Sequence, residues 1–124
     1  MTKVTVFGAG AWGSTMAQVL TDAGNDVLIW GRSPEVVAEI NQRHTNVKYL
    51  DSHTLPDAIK ATTDLAEAFN FSEIYVLAIP AQQLRTTLQE WKDFFQPSSV
   101  IVSTLKGIEI STQMRMTEVI EDVL

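Results

Sequence analysis

Three glycines, Gly8, Gly10 and Gly13, stand in G-x-G-x-x-G spacing within the run V-T-V-F-G-A-G-A-W-G at positions 4–13. Each has a separate physical task. Gly8 suits the tight turn off a strand, Gly10 leaves the backbone open to a pyrophosphate, and Gly13 lets a helix pack closely on that strand. Phosphates would then rest on the backbone N–H groups at the helix N-terminus. Those N–H groups have no intrahelical partner, and the helix dipole favours negative charge there. The run therefore predicts a dinucleotide site, with NADP(H) or NAD(H) as the expected cofactor.

Cofactor choice in such sites is set at the end of the next strand, where a carboxylate commonly holds the ribose 2′-hydroxyl of NAD. This chain has Gly31, Arg32 and Ser33 there. A guanidinium and a hydroxyl suit a 2′-phosphate, which leans the expectation to NADP(H). A solvated surface arginine beside a serine that only caps a helix is the competing account. Lys106, followed by Gly107 after a predicted strand, is a candidate cation at the nicotinamide end, where it would hold an anionic substrate; an ordinary loop lysine is the alternative. His44 and His53 lie in a polar connection without ligand spacing, so no metal is expected. Glu121 and Asp122 are adjacent on a predicted helix and point in different directions, so they form no catalytic pair.

These residues need elements to position them. Val4, Val6 and Phe7 form an apolar strand, and Met16, Ala17, Val19 and Leu20 stand at helical spacing up to Gly24, a suitable C′ residue. A second strand at 27–30 completes a βαβ unit of about 30 residues. Ser33-Pro34 starts a helix to about His44, with serine as cap and proline at the first position. A polar connection over 45–57 carries Tyr49, Leu50 and Leu55 as anchors, and 59–62 reads as a short edge strand. Asp64 caps a helix through Phe69. The apolar run 74–79 reads as a strand buried on both faces. Pro80 ends it, a helix covers 82–92, and another strand covers 100–103. Trp91, Phe94 and Phe95 are expected to be core or a surface covered by further sequence, and 113–124 shows a helical apolar stripe. The predicted fold class is α/β, a doubly wound, mainly parallel sheet (Rossmann-type) with helices on both faces and right-handed crossovers. Ligands in such sheets lie beyond the strands' carboxyl ends. Five places qualify: the glycine loop, the Arg32 turn, Thr62-Thr63, Ile79-Pro80-Ala81, and residues 104–107.

The 124 residues, 45% of them hydrophobic, suit one globular domain. A net charge of −6 without a basic run excludes a nucleic-acid or anionic-membrane surface. The absence of cysteine excludes disulfides and thiolate chemistry and fits a reducing compartment, with the cytoplasm as the expected location. No apolar stretch approaches membrane-spanning length. Since the sequence stops inside an apolar-striped helix, the chain is expected to be a truncated dinucleotide-binding domain, residues 1–124, followed by a further domain.

With these residues in place, the sequence resembles the N-terminal domain of bacterial NAD(P)-dependent glycerol-3-phosphate dehydrogenases over essentially its whole length. The resemblance rests on G-A-G-A-W-G at 8–13, W-G-R-S at 30–33, V-L-A-I-P-A at 76–81 and T-L-K-G-I-E at 104–109. The last run is the most specific. The resemblance implies reduction of dihydroxyacetone phosphate by NAD(P)H to sn-glycerol 3-phosphate, the glycerophospholipid precursor. It implies that Gly8, Gly10, Ala11, Trp12, Gly13, Arg32, Ser33, Tyr49, Pro80 and Lys106 form the cofactor site, with Lys106 also touching substrate. Ala11 stands where many members have serine, and Asp51-Ser52 where a proline-glycine turn is common. The family's proton-transferring lysine would lie beyond Leu124 in a helical C-terminal domain, through which a homodimer could form. Two alternatives stay open: a related dehydrogenase acting on another small substrate, and a non-catalytic NAD(P)H-sensing module.

Overall fold

The computed structural model describes residues 2–51, 53–103 and 112–124. Five strands form one sheet in the order β3-β2-β1-β4-β5. They are β1 (Lys3–Phe7), β2 (Asp26–Trp30), β3 (Lys60–Thr62), β4 (Ile74–Leu77) and β5 (Val100–Ser103), and every pairing is parallel. The order reverses between β1 and β4. Among the described residues six α-helices accompany them: α1 (Ala11–Asp22), α2 (Pro34–Arg43), α3 (Val47–Leu50), α4 (Leu65–Phe71), α5 (Leu84–Trp91) and α6 (Met116–Val123). This is the doubly wound α/β fold that the alternating pattern predicts. No helix among the described residues is long and apolar enough to cross a membrane.

The two-residue alternation of the strands divides the core into two layers. Val4, Val6, Val27, Ile29 and Val76 meet Ala17 of α1 and Val36, Val37 and Ile40 of α2 on one face. On the other, Phe7, Trp30, Tyr75 and Leu77 meet α4, α5 and α6 through Phe69, Leu84, Leu88, Trp91 and Val119. Thr5 is the polar member of this second face. It is fully buried, and its hydroxyl donates to the Ala68 carbonyl of α4 at 2.9 Å.

Local chemistry sets the helix ends. Ser33 Oγ accepts the Val36 N–H, and Asp64 Oδ1 accepts the amides of Ala66 and Glu67, each acting as an N-cap. Gly24, at φ 96°, follows α1 in the left-handed conformation expected of a C′ residue. His44 closes α2 at φ 56°.

Several expected boundaries shift. The connection over 45–57 contains the short helix α3, and the helix expected over 82–92 is a 3-10 turn at Ala81–Gln83 leading into α5. The last helix starts at Met116, because Gln113 at φ 61° is incompatible with a right-handed helix. Val19, one of the apolar residues at helical spacing, is 55% exposed. It lies two residues from Ala17, about 200° around the helix, and so faces outward. Trp91 is buried and Phe95 packs edge-on against Tyr75, whereas Phe94 stays 38% exposed while stacking on Phe69. Asp122 pairs with Arg85 of α5 at 2.6 Å and so fastens α6.

Leu88, fully buried between the sheet and its helices, should lose about 2–5 kcal/mol of stability on truncation to alanine. Urea unfolding of Leu88→Ala should show a lower midpoint with an unchanged slope.

Candidate functional site

A cavity of about 540 Å³ opens at the carboxyl edge of the sheet, where the strand order reverses. Its floor is the glycine loop. Gly8 sits at φ 123°, and a Cβ there would collide with the Ala78 carbonyl oxygen at the end of β4. At Gly13 a Cβ would collide with the Gly8 carbonyl oxygen, so the first turn of α1 rests on the end of β1. Gly10 differs, because a Cβ there would meet nothing within 4 Å. Its open side is the cavity.

Gly10 is also the N-cap of α1, and it supplies no side-chain hydrogen bond to the helix. The first intrahelical amide, that of Ser14, donates to the Gly10 carbonyl at 3.0 Å. The amides of Ala11, Trp12 and Gly13 therefore have no carbonyl within α1 to bond. No acidic residue stands in this turn to satisfy them. The donor set fits an anionic phosphate group, and the unhindered Gly10 gives it room to approach.

Of the residues singled out from sequence, Gly8, Gly10, Ala11, Trp12, Gly13, Arg32, Ser33, Tyr49 and Pro80 all line this one cavity. Trp12 is 54% exposed and Tyr49 45% exposed, two aromatic surfaces left open at its rim. The Lys48 ammonium lies 5.3 Å from the centre of the Tyr49 ring. Thr62 and Thr63 do not join the lining; the Thr63 carbonyl instead accepts the Trp30 indole N–H at 3.1 Å. Lys106 and the rest of 104–107 fall outside the described residues. The histidines stand apart from the cavity, His44 facing Asp57 at 3.8 Å and His53 bonded to Gln18 at 2.5 Å.

Three features escape the sequence reading. Val36, Ala78 and Gln83 line the cavity through their places at element ends, which an expectation of strand carboxyl ends could have included. Asn46, fully buried in a connection without periodicity, donates through Nδ2 to the Ala9 carbonyl at 2.7 Å and to Ser14 Oγ at 3.0 Å. It ties the chain ahead of Tyr49 to the glycine loop. Finally, the turn after β2 holds no carboxylate of its own, yet Glu35 in the first turn of α2 reaches back to it. The Ser33 hydroxyl donates to Glu35 Oε2 at 2.9 Å.

The sequence profile of the NAD-dependent glycerol-3-phosphate dehydrogenase N-terminus matches residues 3–124. The chain belongs to this family. A glycerol-3-phosphate dehydrogenase [NAD(P)+] from Thermobifida fusca is 49% identical over 125 residues, covering 100% of this chain and 37% of the relative. The chain thus spans little more than a third of that curated relative. Among solved structures, a glycerol-3-phosphate dehydrogenase from Saccharomyces cerevisiae superposes with a TM-score of 0.86 at 31% identity, covering 98% of this chain and 39% of the other. One from Coxiella burnetii shares the fold with a TM-score of 0.88 at 24% identity, covering 99% and 38%.

Tyr49 owes its place partly to Glu39 of α2. The Glu39 carboxylate accepts the Thr45 hydroxyl at 2.6 Å and the Val47 amide at 2.9 Å, and these two bonds hold its pKa below the usual glutamate value. A lowered folded-state pKa means that the clamp is fully present above the ordinary glutamate range and is lost as pH falls through the lowered value. The Val47 amide resonance should accordingly titrate on the acid side with a midpoint below the usual glutamate value. Glu39→Gln should abolish that titration, and a flat profile in the wild type would contradict the clamp.

Proposed function

We propose that the chain is the cofactor-binding part of an NAD(P)H-dependent enzyme that reduces dihydroxyacetone phosphate to sn-glycerol 3-phosphate, a precursor of glycerophospholipids. The observation that carries this reading is the uncapped α1 N-terminus opening at Gly10 into the cavity, in a chain of the glycerol-3-phosphate dehydrogenase family. When bound, the nicotinamide cofactor supplies a hydride to a carbonyl carbon.

The chain's own residues do the holding. The amides of Ala11, Trp12 and Gly13 donate to the pyrophosphate, supported by the α1 dipole. Trp12, Tyr49 and Pro80 supply apolar walls that take up ring surface and exclude water. Arg32, which lines the cavity and makes no hydrogen bond or ion pair among the described residues, offers its guanidinium to a 2′-phosphate. That contact leans the preference to NADP(H). Lys106, in the T-L-K-G-I-E run, holds the anionic substrate and the adjacent end of the cofactor. The proton-transferring lysine and the remainder of the substrate site belong to a helical domain following Leu124, through which two copies pair. A cytoplasmic location completes the reading.

Titration by tryptophan fluorescence should show that the chain binds both NADPH and NADH, and no binding of either would overturn the reading. With dihydroxyacetone phosphate present, the chain alone should not oxidise NADPH; measurable turnover would show that the chemistry needs no further domain. Arg32→Ala should weaken NADPH by roughly tenfold and leave NADH within about twofold. An unchanged ratio of the two affinities would remove Arg32 from the 2′-phosphate contact.

A further inference from the structure

Ser33 and Arg32 both line the cavity, but their side chains are not equally available to a ligand. Arg32 has no protein partner among the described residues, whereas the Ser33 hydroxyl is engaged twice. Its single proton goes to Glu35 Oε2 at 2.9 Å, and its oxygen accepts the Val36 N–H at 3.4 Å. To donate to a phosphate, Ser33 would have to abandon Glu35.

We propose that Glu35, acting through Ser33, is a specificity-determining residue that offsets Arg32 and keeps the ribose end of the cavity open to NADH as well as NADPH. The inference rests on the cofactor-binding reading above. Its physical basis is the sign of the charge behind the serine. Each contact to Ser33 Oγ is about 3 Å, so a phosphate oxygen hydrogen-bonded to it lies at most about 6 Å from Glu35 Oε2; Glu35 is exposed, but that separation is inside the screening length of physiological salt. Two anions at that distance repel, and the repulsion opposes the attraction of Arg32. A free 2′-hydroxyl is not an anion. It brings a donor of its own, which the remaining lone pair of Ser33 Oγ can accept, so the serine that disfavours a phosphate accommodates the unphosphorylated ribose.

The carboxylate is held in its charged form. The Glu35 backbone N–H and then the Ser33 hydroxyl donate to it, and both lower its pKa. Glu35 also stands in the first turn of α2, where the helix dipole favours negative charge. It therefore has a structural use as well, and the experiment has to separate the two.

The separating quantity is the ratio of NADPH to NADH affinity. Fluorescence titrations of the chain with each cofactor compare wild type with Glu35→Gln, which keeps side-chain length and removes the charge. A control, Asp22→Asn, removes one negative charge at the opposite end of α1. Glu35→Gln should tighten NADPH by about three- to tenfold, leave NADH within about twofold, and shift the ratio toward NADPH. Asp22→Asn should move the ratio by less than about twofold. A purely structural role for Glu35 would change both affinities together and leave the ratio unmoved, and that result would overturn the proposal. An equal shift in the Asp22→Asn variant would overturn it too, because the effect would then be one of net charge. Failure of the wild type to bind either cofactor would instead strike the cofactor-binding reading on which the proposal stands.

Discussion

A side chain at Gly13 would collide with the Gly8 carbonyl oxygen, and one at Gly8 with the Ala78 carbonyl oxygen. These two contacts bring the end of β1, the end of β4 and the first turn of α1 to backbone distance from one another, at the point where the strand order reverses. Everything at the carboxyl edge follows from that approach. The helix start is pressed onto the sheet, its unpaired amides are fixed relative to β4, and Gly10 alone of the three glycines faces open space. Asn46 completes the arrangement from outside the βαβ unit by holding the Ala9 carbonyl, so the residue between two of the glycines is anchored as well.

That backbone construction also explains how a chain of net charge −6 can offer a site to a polyanion. Long-range attraction is not available, since the overall field repels an anionic ligand. The favourable terms are short-range. Oriented amides and the dipole of one helix act within a turn's length, inside the distance at which salt screens the remaining charges. Among the described residues, Arg32 is the cationic side chain of the cavity lining, so most of the attraction for an anion there comes from the backbone.

Much of this was legible in the sequence, because the strongest signals are local. The glycine spacing, the apolar runs of β1 and β4, and the Ser33-Pro34 and Asp64 caps each act within a few residues, and the structure places them as the pattern implies. The shared lining of Gly8, Trp12, Arg32 and Pro80 followed from one topological rule about strand ends, whereas Tyr49 was implied only by the family resemblance. What escaped depends on contacts between distant segments. Asn46 reads as a loop residue until Ala9 and Ser14 are brought to it across more than thirty positions. Glu35 reads as a helix-favouring acid in a first turn, and only its rotamer reveals that it turns back onto Ser33. Helical spacing alone does not say that Val19 is exposed, since it records which residues are apolar but not which side of α1 the sheet occupies.

Trp30 shows why the site and the core cannot be treated as separate structures. Its ring is 7% exposed and lines the cavity, while its other side meets Trp91 at 5.0 Å and Phe7 at 6.3 Å between ring centroids. The indole N–H is fixed on the Thr63 carbonyl at the end of β3. One side chain therefore joins the wall of the cavity to the aromatic layer that Phe7, Phe69, Tyr75 and Trp91 build against α4 and α5. Close-packed interiors resist small displacements, so a wall residue held this way keeps its position whether or not a ligand is present. Less conformational freedom then remains to be lost on binding, which favours affinity without any added contact. Trp12 and Tyr49, by contrast, are about half exposed at the rim, so more of their surface is left for a ligand to cover.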